Sequence, residues 1–329
     1  MKNTDLMYEE NDTSLRPQYL DEYVGQKKLK EMMNVFIQTA KKRQETLDHV
    51  LIYGPPGLGK TTLANIIANE MEGRFVPISA PAITKVGDLA SILACLDKGD
   101  VLFIDEIHRL PKVVEEVLYS AMEDYKMDIT IGSDTNSSVR TIELDPFTLI
   151  GATTRCGDIS APLRDRFGIV NQINYYTVEE LKDIVIRTSK VFNYNISLDS
   201  AYEIAKRSRG TPRIANRLFR RIRDFSQFYD SENDEIKLNI TNLGLAKLNI
   251  DSYGLNDTDH KYLLTIIEKF KGGPVGLSTI AATIGEEINT LEDVYEPYLL
   301  QEGFIVRTPR GRMVTEKAYK HLGVDIYGS

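Results

Sequence analysis

The sequence predicts an α/β domain with a parallel sheet and covering helices, followed by an all-helical domain and a C-terminal winged-helix domain. Three observations carry this. Between about residues 27 and 178, helical stretches alternate with short β-rich runs (VLIY at 50–53, VLFI at 101–104, FTLIGA at 147–152), the pattern of parallel strands covered by helices. Residues 179–228 then read as helices only. From residue 258, three helical segments are closed by FIVRT and RMVT around PRG, a small hairpin after a helix-turn-helix.

Length and composition bound the reading. A chain of 329 residues has room for two or three domains with hydrophobic cores. Hydrophobic residues make up 42% and charged residues 27%, near globular averages, and the apolar runs fall well short of the ~18 residues that cross a bilayer. Residues 1–14 are polar and expected to be disordered. Asp5, Glu9, Glu10 and Asp12 leave no basic start with an apolar core, so no targeting leader is expected and the expected location is the cytoplasm. Cys95 and Cys156 are too few for a disulfide framework and lack metal-ligand spacing. The net charge of −8 requires any nucleic-acid contact to come from a local basic patch.

The helical domain contains EELKDIVIRTSKVF and the arginine-rich stretch from Arg213 to Arg223; SENDE at 231–235 interrupts it, and a last helical piece runs to about 249. DSYGLND at 251–257 reads as a linker. The expected domains are therefore 1–178, 179–252 and 253–329. In the last, Leu263, Leu264, Ile266, Ile267 and Phe270 give the first helix an apolar face, a short helix lies near 277–284, and a third starts near 290. Pro297 should kink or split that third helix, since an interior proline costs ~3 kcal/mol.

Gly54-Pro55-Pro56-Gly57-Leu58-Gly59-Lys60-Thr61 satisfies the P-loop pattern between the strand HVLIY and the helical KTTLANIIANEM, where a phosphate cradle requires it. Lys60 would hold the β- and γ-phosphates of a nucleotide, and the Thr61 hydroxyl would ligate Mg²⁺. VLFIDEIH at 101–108 fits a buried central strand that delivers Asp105 and Glu106 at its C-terminal end, Asp105 for Mg²⁺ and Glu106 to orient or deprotonate the attacking water. GATTR at 151–155 ends another apolar strand, so Thr153 or Thr154 could place a hydroxyl near the γ-phosphate. APLRDRFG contributes Arg164 and Arg166, whose guanidinium groups either neutralise transition-state charge or form surface ion pairs. Thr211-Pro212-Arg213 reads as an N-cap, a proline at the first helical position and an arginine that opposes the helix dipole unless it serves a bound phosphate. Arg213, Arg217, Arg220 and Arg221 share one helix face.

With these residues assembled, the chain resembles AAA+ ATPases, and among them the family of bacterial Holliday-junction branch-migration motors, over residues 15–324. The distinguishing segments are SLRPQYLDEYVGQ (14–26), the P-loop segment, GDVLFIDEIHRL, EEVLYSAMEDY, FTLIGATTR, PLRDRFG, YYTVEE, SRGTPRIANRL, GGPVGL, EDVYEPYL and FIVRTPRGR. The resemblance implies an ATP- and Mg²⁺-dependent ATP hydrolase that acts as a ring, a hexamer on DNA, with ATP held between subunits. By position it implies Leu15 and Arg16 beside the base and Gly57, Gly59, Lys60, Thr61 and Thr62 on the phosphates. Glu123, Asp124 and Tyr125 match another nucleotide-proximal segment, and Tyr176 and Arg213 would approach nucleotide from the helical lid. Arg166 corresponds to an arginine finger acting in trans, with Arg164 the alternative, and one of Thr153 and Thr154 to the sensor.

Residues 128–143 match the hairpin by which such motors engage a RuvA-type junction-binding protein, although the tip SDTNSS departs from the family's usual glycine-proline-alanine-arginine type. A RuvC-type resolvase would join a larger complex. Arg307, Arg310 and Arg312 lie on or beside the wing with no acid between 303 and 315, so this patch should meet DNA phosphates without reading bases. Two other readings share these features: a clamp-loader-like ATPase and an ATP-gated winged-helix transcription regulator.

Overall fold

The computed structural model describes residues 16–131, 138–232 and 234–325. Leu15, the acidic tail and nearly all of the tip SDTNSS lie outside the described residues. The chain divides into two compact units, Met1–Tyr176 and Thr177–Ser329.

In the first unit the elements are α1 (Lys27–Arg43), β1 (Val50–Tyr53), α2 (Lys60–Glu70), β2 (Phe75–Ser79), α3 (Val86–Leu93), β3 (Val101–Asp105), α4 (Lys112–Asp124), β4 (Lys126–Ile131), β5 (Ser138–Glu143), β6 (Thr148–Thr153), α5 (Ala161–Arg164) and β7 (Ile169–Gln172). Five strands form one parallel sheet in the order β2-β3-β6-β1-β7. The three apolar runs of the sequence are its three central strands, and β6 is buried at all six positions. The two edge strands carry no such run. Pro77 sits in β2, where an edge tolerates its missing N–H, and β7 alternates buried and exposed residues. Because all five strands run the same way, the ends of β1, β3 and β6 gather the glycine loop, Asp105 and Thr153 on one edge of the sheet. Strands β4 and β5 pair as an antiparallel hairpin from Lys126↔Glu143 to Ile131↔Ser138, at the position expected from residues 128–143.

The second unit contains α6 (Val178–Val191), β8 (Asn195–Ile196), α7 (Leu198–Lys206), α8 (Pro212–Tyr229), β9 (Glu235–Ile236), α9 (Leu238–Lys247), α10 (Asp257–Leu264), α11 (Leu277–Ile284), α12 (Ile288–Thr290), α13 (Glu296–Gln301), β10 (Ile305–Thr308), β11 (Gly311–Val314) and α14 (Glu316–Leu322). The helical part is not purely helical: β8 and β9 form a two-residue parallel pair that closes the SENDE loop. Pro297 distorts its helix rather than ending it: the backbone stays helical through Glu296 but widens into a π turn over Leu291–Tyr295, just before the proline whose ring cannot donate the regular hydrogen bond. Tyr262, Leu263, Ile266, Leu299 and Phe304 form the fully buried centre of the winged-helix core, and Val275 adds a bridge to Arg312 beside the β10–β11 hairpin.

A buried ion pair joins the helical part to the winged helix. Arg209, itself at φ 52°, donates through Nε to the Gly254 carbonyl at 2.7 Å and pairs with the fully buried carboxylate of Asp259. Its guanidinium lies 5.3 Å from the Tyr298 ring centroid, and Arg207 Nη1 donates to the Ile250 carbonyl at 2.9 Å.

Candidate nucleotide site and nucleic-acid face

Strand β1 ends at Tyr53, and the chain turns at Gly54 into the loop that precedes α2. A Cβ on Gly54, at φ +147°, would lie 2.4 Å from the Ile173 carbonyl oxygen, so only glycine fits. Gly59 caps α2 at φ 92°, again in the left-handed region. Such a loop ahead of a helix N-terminus offers backbone N–H groups and a positive helix end to an anion. Lys60 is 8% exposed, and its ammonium donates to the carbonyls of Gly54 and Pro55, both at 2.8 Å. Burial lowers its pKa to about 8, against the pull of Asp105 and Glu106.

Asp105 ends β3 opposite Ser79, and its Oδ1 accepts from the Glu106 N–H at 2.9 Å. Glu106 adopts φ 51°, a left-handed conformation that costs a non-glycine residue about 1–2 kcal/mol, and its Oε2 pairs with Arg109 at 2.8 Å. Thr153 is buried at the end of β6, accepts from the Arg155 N–H at 2.9 Å and lies 2.9 Å from His108 Nδ1. Thr154 is exposed, whereas Thr153 is the threonine tied into this network. His108 is the residue that sequence reading left without a role. It stands in the same VLFIDEIH string as the acids, and burial holds its imidazole below the usual range. Thr61 and Thr62 follow Lys60 in the first turn of α2, half-buried, and Gly57 takes φ 79° in the loop. The hydroxyl of Thr61 and the carboxylate of Asp105 are oxygen donors of the kind Mg²⁺ takes.

Tyr176, expected to approach the nucleotide from the lid, is the last residue of the first unit. It is buried, with its hydroxyl 3.0 Å from Tyr23 Oη and 3.4 Å from the Leu58 carbonyl, and so braces the P-loop from behind. The segment carrying Arg16 is tied to the end of α2 by Asn69 Nδ2 to the Gln18 carbonyl (2.9 Å) and by the Leu20 N–H to Glu70 Oε1 (2.9 Å).

Arg166, Glu123, Asp124 and Tyr125 gather at the other edge of the sheet. The β7 register pairs Ile169 with Val50, so Arg166 precedes the N-terminal ends of the strands, and His49, just before β1, donates through Nε2 to the Met122 carbonyl at 3.0 Å. The four residues of β1, roughly 13 Å of strand, therefore separate this cluster from the chain's own phosphate loop. There Arg166 stacks 4.5 Å over the Tyr119 ring and donates to the Pro162 carbonyl at 2.7 Å and to Glu123 at 3.3 Å. Its Nε is buried without a hydrogen-bond partner. Tyr119 is in turn fixed by Ser160 and the buried Glu115. Arg164 is exposed on α5.

In the second unit Arg213 and Arg217 are exposed on α8, with Arg220 and Arg221 further along the helix. Partial desolvation of the Arg217 guanidinium, followed by the charges of Arg209, Arg213 and Arg221, lowers its pKa although the residue as a whole is exposed. Pro212 occupies the first turn as expected, but Thr211 does not cap the helix: its hydroxyl donates backwards to the Ser208 carbonyl at 3.2 Å. Facing a carbonyl rather than the helix N–H groups, it leaves them open.

Arg307 and Arg312 both clamp the fully buried carboxylate of Glu296, at 2.6 Å and 2.7 Å, and Tyr262 donates to it at 2.6 Å. Burial opposes ionisation of Glu296, yet the hydrogen bonds from Arg312, Tyr262 and Arg307 hold its carboxyl below the usual range. The absence of acids between 303 and 315 therefore does not leave a free triad, because the neutralising acid comes from α13. Arg310 stands exposed at the hairpin turn, Arg307 keeps 45% of its side chain exposed, and Arg312 only 18%.

Three family models match in succession. The Holliday junction DNA helicase RuvB P-loop domain covers residues 15–173, the RuvB AAA lid domain 176–251, and the RuvB C-terminal winged helix domain 252–323. The Holliday junction branch migration complex subunit RuvB of Leuconostoc mesenteroides is 60% identical over 313 residues, 95% of this chain and 89% of that protein. The solved Thermotoga maritima RuvB Holliday junction branch migration motor superposes with a TM-score of 0.86 at 52% identity, covering 95% of this chain and 99% of that one. A point mutant of the same Thermotoga maritima protein gives 0.87 at 52% identity, over 94% and 99% of the two chains. With the phosphate loop, the acid pair, the helical segment and the wing each falling inside the matching model, the chain belongs to the RuvB family.

Proposed function

We propose that this chain is the ATP-driven motor of Holliday-junction branch migration in homologous recombination and recombinational repair, acting in the cytoplasm with a RuvA-type junction-binding protein. A RuvC-type resolvase joins the larger complex. No helix among the described residues is long and apolar enough to cross a membrane. The observation that carries the reading is the division of the ATPase machinery between two edges of one sheet. Lys60, Asp105, Glu106 and Thr153 sit on one edge and Arg166 on the other, too far apart to serve one nucleotide within a single copy. A head-to-tail ring, six copies on DNA, brings the Arg166 edge of one copy to the phosphate loop of the next.

In this mechanism the loop N–H groups, Lys60, Thr61 and Thr62 hold the phosphates. Thr61 and Asp105 would hold Mg²⁺, which neutralises phosphate charge when bound. Glu106 accepts the proton of the attacking water. Thr153, oriented by His108, senses the γ-phosphate, and the partner copy's arginine stabilises charge developing on the transferred group. Arg213 and its neighbours on α8 answer the nucleotide from the lid, so hydrolysis changes the lid's preferred position. The wing follows, and Arg310 and the exposed part of Arg307 hold duplex phosphates without reading sequence. The β4–β5 hairpin is the surface for the RuvA-type partner. Family membership across all three segments favours the motor over a clamp loader or a transcription regulator.

The test is a purified assay with ATP, Mg²⁺, a synthetic four-way junction and the RuvA-type partner. Wild type should dissociate the junction into duplex arms, and Glu106→Gln should bind nucleotide without turnover or migration. Full ATPase activity in Glu106→Gln would remove Glu106 from its role. Absence of migration by wild type, or tight binding to one preferred duplex sequence, would defeat the motor.

A further inference from the structure

The geometry points to a second metal site, unrelated to the nucleotide: we propose that Asp251, His260 and His321 bind a zinc-class divalent cation that fastens the boundary segment to the winged helix. The chain has only four histidines. Two of them, on α10 and on α14, aim the same ring nitrogen, Nε2, at the same oxygen, Oδ2 of Asp251, at 2.7 and 2.6 Å. The three donor atoms all lie within 4.8 Å of one another.

The carboxylate is prepared for such a role by its backbone. Its other oxygen, Oδ1, accepts the N–H groups of Tyr253 (2.8 Å) and Leu255 (2.9 Å), which fixes the plane and leaves Oδ2 for the histidines. This is the outer-shell support that ligating carboxylates require. The side chains of Asp251, His260 and His321 are 18%, 34% and 13% exposed, so the cluster is sheltered yet open to an entering ion on the His260 side. The Tyr253 and Phe304 rings stand 4.9 and 5.4 Å from the His321 ring and limit its rotation. Lys317, whose ammonium lies 4.7 Å from the Tyr253 ring centroid, pairs with the Glu302 carboxylate at 3.1 Å.

Two imidazoles and a carboxylate suit Zn²⁺ in hardness and number, with water as the fourth ligand. Tetrahedral ligands at ~2.0–2.1 Å from the ion stand about 3.4 Å apart, so Oδ2 retreats by about 0.7 Å from each ring and the two Nε2 atoms, now within 4.8 Å of each other, settle at the same spacing while each imidazole keeps its remaining proton on Nδ1. The ion would then tie residue 251, where the lid match ends, to the first and last helices of the domain that follows.

The experiment uses the full-length untagged chain, stripped with a chelator and titrated with Zn²⁺ against a chromogenic competitor in the presence of Mg²⁺. One equivalent should bind at micromolar affinity or tighter, with a rise in Tm of a few degrees. The double variant His260→Gln/His321→Gln should weaken binding at least tenfold and lose the Tm response. Equal binding by wild type and double variant would overturn the proposal. Substitution with Co²⁺ needs no variant: intense visible bands of tetrahedral cobalt on the wild-type chain support the site, and the weak spectrum of aqueous cobalt refutes it, leaving Asp251 as a hydrogen-bond acceptor for two histidines.

Discussion

Lys60 offers the sharpest quantitative handle on the nucleotide site. Its ammonium is buried against two carbonyls, and burial takes its pKa from the usual 10.5 to about 8. The folded value lies below the unfolded one, so between about pH 8 and 10.5 the unfolded chain binds more protons and stability rises with pH. Below pH 8 the charged lysine costs the nucleotide-free fold on the order of 3 kcal/mol. Phosphates return the pKa to its ordinary range and relieve that cost. Nucleotide binding should therefore take up protons, about 0.1 per site at pH 7, about 0.5 at pH 8 and about 0.9 at pH 9, with affinity falling about tenfold between pH 7 and 9. Titration calorimetry in two buffers of different ionisation enthalpy measures the uptake directly. Lys60→Arg, whose guanidinium does not deprotonate, supplies the background to subtract. No uptake by wild type at pH 8, or the same uptake in Lys60→Arg, would refute the reasoning.

Three other outcomes follow from named contacts. His108→Ala removes the partner that orients the Thr153 hydroxyl, so kcat for ATP should fall about tenfold or more with little change in nucleotide affinity; a change confined to KM would place His108 outside the hydrolysis step. Arg209→Ala strands the buried Asp259 carboxylate and should destabilise the second unit by about 3–5 kcal/mol in urea unfolding. Arg209→Met/Asp259→Leu should recover most of that loss, and an unchanged midpoint in the single variant would contradict the assignment. Arg310→Ala should leave Tm unchanged and lower the salt dependence of DNA binding by about one counterion. Arg312→Ala should instead destabilise the winged helix by about 2–3 kcal/mol, because Glu296 loses a buried partner, and the reverse pattern would overturn the division of labour on the wing.

What the sequence made legible follows from how each element is buried. Strands β1, β3 and β6 are covered on both faces, so they read as continuous apolar runs, and the glycine loop and acid pair could be placed at their ends. Strands β2 and β7 are edges: Pro77 and the alternating burial of Ile169–Gln172 erase the signal that buried strands carry. Local motifs also hid their long-range partners. Arg307 and Arg312 look free when only the hairpin is inspected, because Glu296 reaches them from a helix earlier in the chain. The same holds for Tyr176, whose place under the P-loop depends on Tyr23, far away in sequence. Thr211 shows that a capping residue type at a helix start does not cap when its hydroxyl finds a nearer carbonyl.

The claim on which the rest depends is that hydrolysis needs residues from two copies, and mixing two dead variants tests it most directly. Lys60→Ala cannot hold the phosphates in its own site but keeps Arg166; Arg166→Ala keeps a complete phosphate loop but lacks the arginine. Each alone should show no ATPase activity above background. Mixed in equal amounts and allowed to reassemble on DNA, they should recover turnover, since roughly one seam in four then pairs an intact loop with an intact arginine. Recovery that rises and falls with the mixing ratio is the predicted result. Mixtures that stay inactive at every ratio, or an Arg166→Ala chain that hydrolyses ATP at the wild-type rate by itself, would contradict it.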